Sequence, residues 1–374
     1  MLRDLVSKKN KEPDYFLAGT TVALVVLGLL ILASVSATLS FERSGDTYYF
    51  LTHQIIFGLI PGLILGFLAY KINLALLKKW APALLLITLV LMVMVFLPVI
   101  GSTSANAARW VGLGPISFQP SELLKLTFIL YLAVWLSSRE ERKKENNPGK
   151  TLMAFGIILF FIISLLILQS DLSTLGVILA VAVIMYFVIN TPIRHIILIF
   201  AAGAATIFAL IKIAPYRIDR LLVFLNHDFD PMGAGYQIKQ SLIAIGSGGF
   251  WGTGLGLGMQ KLGFLPETIS DSIFAVFSEE TGFAGGLFLI TLFLAFLWRG
   301  FKIARESQDN FLKLAALGIT SWIIIQTFVN IGAMIGVLPL TGIPLPFISY
   351  GGSALIVELI GVGLLLNISS RTRA

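Results

Sequence analysis

The sequence predicts an all-α polytopic membrane protein with about ten transmembrane helices and one long extracytoplasmic loop between the seventh and eighth. Three observations carry this expectation. The chain is 57% hydrophobic and 13% charged, with a mean hydropathy of +0.90, where a soluble domain has roughly 25% charged residues. Ten segments reach the ~20 mostly apolar residues that a helix needs to cross a bilayer. Lys and Arg are divided unequally between the two sides of those segments.

The first span, 15–39, follows a basic start of Arg3, Lys8, Lys9 and Lys11. Val35-Ser36-Ala37 faintly resembles a cleavage site, but the apolar run is far longer than a signal-peptide core and reads as a retained span. The remaining spans fall at 50–70, 79–100, 119–137, 151–168, 172–189, 192–213, 272–298, 313–338 and 349–368. Only Gln169-Ser170-Asp171 separates the fifth from the sixth, and Gly203 with its flanking alanines weakens the seventh. With a cytoplasmic N-terminus, the inner segments carry 19 of the 27 Lys and Arg residues and the outer ones six. Both termini are therefore expected inside the cell. The charged 138–150 loop reads as a solvated cytoplasmic linker. No repeat of 20–50 residues and no low-complexity tract divides the chain, so 1–374 is expected to form one membrane domain.

The net charge of +7 lies in short loops between spans, where cations set topology and meet anionic headgroups. It does not imply nucleic acid. The chain has no cysteine, which excludes disulfides, thiolate metal sites and Cys nucleophiles. His53, His195 and His227 fall in separate loops or span ends and read as isolated interfacial residues, not as a metal site.

The loop at 214–271 differs from everything around it. It holds ten of the 35 glycines, the cations Arg217, Arg220, Lys239 and Lys261, and the acids Asp219, Asp228, Asp230, Glu267 and Asp271. A connection this long is functional or disordered. Its aromatic and aliphatic residues argue against disorder, so it is expected to be an ordered active-site loop. The run Gly246–Gly258 fits no dinucleotide or P-loop spacing. It reads either as an N–H-rich cradle for phosphate oxygens, with Lys261 beside it, or as close backbone packing.

Charged residues inside spans are costly and point to function. Glu122 and Lys125 open the fourth span at i,i+3 spacing after Pro120 and share a helix face. They form either a buried structural pair or a cavity wall. Asp271 precedes the eighth span, where a carboxylate suits the helix N-terminus; it is either a simple cap or a reactive group. Glu279, two turns deeper, reads as a structural acid. Asp171 reads as the cap of the sixth span.

Ala108-Arg109-Trp110 with Phe118-Gln119-Pro120-Ser121-Glu122-Leu123-Leu124-Lys125 resembles the fourth-span signature of the SEDS proteins, the bacterial shape, elongation, division and sporulation glycosyltransferases. Gly235–Gly249 and Leu265–Ala275 resemble that family's long-loop motifs, with Glu279-Glu280 following, and Leu338–Ser353 resembles its signature before the last span. Tyr216-Arg217-Ile218-Asp219-Arg220 and Gly254–Lys261 are more similar to the division branch than to the elongation branch. The chain reads Gln169-Ser170-Asp171-Leu172-Ser173-Thr174 where the family usually has Pro and Gly in place of the two serines, which implies a less kinked backbone around Asp171.

The resemblance implies polymerisation of lipid II into glycan strands at the outer face of the bacterial cytoplasmic membrane. A sugar 4-hydroxyl attacks an anomeric carbon whose leaving group is a lipid pyrophosphate. That leaving group is already a good anion, so one carboxylate base plus cations suffices, unlike the two carboxylates of glycoside hydrolysis. Asp271 fits the base. Arg109, Arg217, Arg220, Lys239 and Lys261 fit the phosphate contacts, Arg109 and Lys261 foremost, with Gln260 and Ser349 added to the substrate-binding set. Glu122 and Lys125 would line the cavity below, while Asp171, Glu267, Glu279 and Glu280 are structural. A divalent cation, Mg or Mn, could share the charge-neutralising role. Implied partners are a class B penicillin-binding protein transpeptidase and other divisome or elongasome membrane proteins. The competing readings are a lipid II flippase, an elongation-type polymerase, or a scaffold that recruits the transpeptidase.

Overall fold

The computed structural model describes residues 12–97, 101–104, 107–113, 116–141, 148–188, 216–226 and 229–372. Its helices are α1 (Tyr15–Ser44), α2 (Tyr49–Lys71), α3 (Leu74–Met94), α4 (Pro120–Glu141), α5 (Pro148–Leu168) and α6 (Leu172–Phe187). Two shorter helices, α7 (Tyr216–Leu225) and α8 (Tyr236–Ser247), lie within the long connection. Then come α9 (Ile273–Glu306), α10 (Asn310–Met334) and α11 (Gly352–Thr372). Among the described residues, seven helices are long and apolar enough to cross a membrane: α1 to α4 and α9 to α11. The apolar α5 and α6 occupy the fifth and sixth predicted spans. The seventh, 192–213, lies outside the described residues, as do His195, His227 and residues 142–147 of the 138–150 loop. The fold is the predicted all-α polytopic membrane protein.

The boundaries differ in instructive ways. Helix α3 starts at Leu74, five residues before the expected 79, because the Asn73 side chain caps it by accepting from Ala75 N at 2.9 Å. Lys78 is tolerated inside it with its ammonium 5.7 Å from the Phe311 ring centroid. A small antiparallel sheet was not expected: β1 (Gly101–Ser104), β2 (Ala107–Leu113) and β3 (Ile116–Phe118) pair in the order β1-β2-β3. These strands are too short to register in a search for spanning runs.

Helices α4, α10 and α11 form the inner layer, with Phe128 and Trp322 fully buried, while α2 and α3 turn many apolar side chains outward. Small residues let α2 and α11 touch backbone to backbone. A Cβ on Gly66 would lie 2.7 Å from Leu359 O. This is how membrane helices gain packing without a hydrophobic driving force.

Side-chain contacts define the two ends of the bundle. At one end Asp14, before α1, pairs with Arg299 near the end of α9 at 2.5 Å, and Asp14 N donates to Ser369 Oγ near the end of α11 at 3.1 Å. The starts of α4, α6, α9 and α11 meet at the other end.

Candidate active site at the end of the bundle

Helix α9 begins at Ile273 with Ser272 as its N-cap residue, and the Ser272 side chain makes no capping bond. Asp271 therefore sits one residue outside the helix, and its carboxylate is not spent as a cap. It is 9% exposed. Ser270 Oγ lies 3.1 Å from Asp271 Oδ1 and 2.7 Å from Glu267 Oε2, so one hydroxyl stands between two carboxylates. Glu267 adopts a left-handed backbone conformation (φ 53°) and accepts from Ser270 N and Ser272 N through its carbonyl. Burial pushes the Asp271 carboxyl above its ordinary value, and the Glu267 charge pushes it further. The backbone amide, Ser270 and Gln237 oppose that shift through hydrogen bonds.

Two neighbouring segments hold this turn. Asn330 of α10 donates to both Asp271 O and Ile343 O at 2.7 Å, which clamps the Asp271 turn to the loop before α11. Ser349 Oγ donates to Ser270 O, and Tyr350 N donates to Ile269 O at 2.8 Å. A Cβ added at Gly342, which has φ 68°, would lie 3.5 Å from Asp271 Oδ2. Asp271, Glu267 and Ser349 are thus brought together.

A second set of contacts joins the same loop from the other side. Ser173 Oγ donates to Thr341 O, beside Gly342. Asp171 caps α6, accepting from Thr174 N at 3.2 Å, and also accepts from Ser121 Oγ at 2.8 Å. Gln119 N donates to Ser353 Oγ at 3.1 Å. Arg109 on β2 is half-buried and donates to the carbonyls of Gln169 and Ser170. The connection is sharp despite its two serines: Ser170 takes φ 57°. Arg109 and the Asp171 cap secure this turn without proline.

The glycine run is resolved as packing. Gly248, Gly252 and Gly258 lie against the backbone or side chains of Ser278–Glu280, and Phe283 N and Ala284 N donate to Gly249 O and Phe250 O. Helix α9 breaks at Gly282 (φ 68°, ψ −167°) to admit them. The amides just beyond the run do bind an anion, but an internal one. Met259 N and Gln260 N donate to the Glu279 carboxylate at 2.8 and 3.2 Å.

Lys261, expected at phosphate, is instead buried with its ammonium 2.6 Å from Glu280 Oε1, and Ser34 Oγ donates to Glu280 Oε2 at 2.7 Å. Its charge is neutralised inside the protein. Both acids make contacts inside the protein, Glu279 with the Met259 and Gln260 amides and Glu280 with Lys261 and Ser34. Arg220 and Lys239 are exposed, with Arg220 donating to Leu340 O at 3.3 Å. Arg217 opens α7, and its side chain falls outside the described residues. Glu122 and Lys125 form a buried pair at 2.7 Å. Lys125 also donates to Gln326 Oε1 at 2.9 Å and lies 5.2 Å from the Trp322 ring centroid.

Three residues near the site escaped the sequence reading: Gln326, Asn330 and Glu358. A signal existed. Gln326 and Asn330 are polar and spaced i,i+4 in the ninth apolar run, and Glu358 is the sole charge in the tenth.

Fold and site together define a multi-pass membrane protein that presents the buried carboxylate of Asp271, outside the start of α9, at an end of its helical bundle. The chain belongs to the FtsW, RodA and SpoVE family of cell cycle proteins, which it matches over residues 15–374; this is the SEDS family that the motifs implied. It is 38% identical to stage V sporulation protein E of Bacillus subtilis strain 168, over 98% of this chain and 100% of that protein. It is also 38% identical to a probable peptidoglycan glycosyltransferase FtsW of Geobacter sp. strain M18, over 96% of this chain and 97% of that one. Among solved structures it resembles a chain of a peptidoglycan synthase complex that coordinates polymerization and crosslinking. That match has a TM-score of 0.79 at 31% identity and covers 96% and 97% of the two chains. Thermus thermophilus rod shape determining protein RodA matches with a TM-score of 0.71 at 28% identity, over 97% and 98%.

Proposed function

We propose that this chain is a peptidoglycan glycosyltransferase of the division type. It polymerises lipid II at the outer face of the cytoplasmic membrane and releases undecaprenyl pyrophosphate, with both termini cytoplasmic. The observation that carries this reading is Asp271: a desolvated carboxylate with a raised pKa, not used as a helix cap and held by α10 and the loop before α11 at one end of the bundle. Relatives named as peptidoglycan glycosyltransferases span nearly the whole chain.

In this reading Asp271 accepts the proton of the attacking 4-hydroxyl as the new glycosidic bond forms. The bond from the anomeric carbon to the pyrophosphate oxygen breaks, and the electron pair leaves with the pyrophosphate. A carboxylate whose pKa is raised toward the working pH is a better base for this step. Arg220 and Lys239 are the exposed cations available to the leaving group, and Arg109 keeps unused guanidinium donors for it. Lys261 is assigned to Glu280 and not to phosphate. Among the described residues no group of three or more His, Asp or Glu side chains gathers to hold a metal ion, so neutralisation of the pyrophosphate falls to Arg109, Arg220 and Lys239. A class B penicillin-binding protein is the proposed partner, by analogy with the matched synthase complex.

The buried Glu122–Lys125 pair favours a second reading, a lipid II flippase. Lipid II polymerisation in liposomes, with and without a transpeptidase whose own active site is disabled, separates the two. Glycan polymer supports the polymerase. Movement of lipid II across the bilayer with no polymer under any condition supports the flippase.

A further inference from the structure

The segment Ile343–Tyr350 is irregular backbone driven into the bundle. Pro344 and Pro346 keep it from forming helix, and Leu345, Phe347 and Ile348 are buried. Gly28 of α1 packs against its main chain so closely that a Cβ would meet Ile348 Cα at 2.9 Å. Non-helical backbone at this depth survives only where the protein satisfies its polar groups. The surrounding side chains do so one by one. Asn330 donates to Ile343 O, Gln326 donates to Pro344 O at 3.0 Å, and Ser349 Oγ accepts from Leu345 N at 2.8 Å.

Phe347 is the hardest case. It sits in the left-handed region at φ 63°, a conformation that costs a bulky residue of order 1–3 kcal/mol. Its N–H is met by Glu358 Oε2 of α11 at 2.8 Å, and Glu358 is 2% exposed. Two residues on, Ser349 reaches Ser270 O, the carbonyl adjoining Asp271.

We propose that Glu358 is a positioning residue for Asp271. By accepting from Phe347 N it sets the left-handed turn that presents Ser349 to the Ser270–Asp271 segment. The proposal rests on the polymerase reading for its rate effects and not for its structural ones. Full-length protein in nanodiscs carries the test, comparing wild type with Glu358→Leu and Glu358→Gln. Glutamine keeps an acceptor for Phe347 N, and leucine does not.

In hydrogen–deuterium exchange, Glu358→Leu should speed exchange about tenfold or more across 343–351 and 267–272, while Glu358→Gln follows wild type. In polymerisation, Glu358→Leu should lower turnover by about tenfold to a hundredfold with the KM for lipid II within about twofold of wild type, and Glu358→Gln should restore it. If Glu358→Leu does not fold, Glu358→Asp withdraws the acceptor by one methylene and carries the same comparison. Unchanged exchange at 267–272 in the impaired variant, unchanged turnover, or a Glu358→Gln variant as damaged as Glu358→Leu would each overturn the proposal. A wild type that makes no polymer defeats the polymerase reading, and the exchange comparison still decides the role of Glu358.

Discussion

At the scale of single residues, the proposed chemistry depends on the electrostatics of Asp271. Burial and the Glu267 charge both hold its carboxyl above the ordinary range. As a base it works ionised, so activity should rise with pH through that elevated value. Glu267→Gln removes one cause of the elevation and should move the acidic limb of the kcat/KM profile to lower pH; a limb that stays in place would refute the coupling. The same shift has a stability consequence. A carboxyl whose folded pKa exceeds its unfolded one contributes stability that is complete below the unfolded pKa and lost as pH rises through the folded pKa. Asp271→Asn should therefore raise the unfolding temperature at neutral pH and not in acid, as thermal scans in detergent would report. Asp271, Asp171 and the Glu122–Lys125 pair were legible in the sequence because charge at a span end or inside one is rare. The pairing of Lys261 was not. Its partners are Glu280 and Ser34, and the latter lies 227 positions away, which no local spacing discloses.

At the scale of elements, the break in α9 is the feature on which the long loop is built. Gly282 needs its positive φ, and a Cβ there would strike Phe250 O at 2.6 Å. Gly282→Ala should cost more than about 2 kcal/mol, whereas Gly256→Ala, also at positive φ but in open space, should cost about 1–2 kcal/mol. Equal losses in denaturant unfolding would contradict this account of the glycine run. The Glu122–Lys125 pair invites a double-mutant cycle. Lys125→Met strands a buried carboxylate and should cost about 3–5 kcal/mol, while Glu122→Gln with Lys125→Met should recover much of that loss. Independent, additive effects would mean the pair is not coupled. The sequence could not choose between a phosphate cradle and backbone packing for Gly246–Gly258, because both need small residues and free amides. The choice depends on Glu279 and the α9 break, which are tertiary. The three short strands escaped for a simpler reason: they carry no spanning-length apolar pattern.

At the scale of the whole molecule, hydropathy and charge asymmetry were enough to anticipate the class of fold, and nine of the ten expected spans are present as helices among the described residues. What they could not supply is how the loop before α11 is threaded into the bundle, since that path is set by Gln326, Asn330 and Glu358 from two different helices. The result is a hydrogen-bonded floor beneath Asp271, with exposed cations on α7 and α8 nearby in sequence. The proposed chemistry makes Asp271 the base of a lipid II polymerase. It is tested most directly by the polymerisation rate of folded Asp271→Asn beside wild type, each with a transpeptidase disabled at its own active site. Wild type should make polymer and Asp271→Asn none, at unchanged thermal stability or better. Polymer from Asp271→Asn at the wild-type rate would contradict that chemistry.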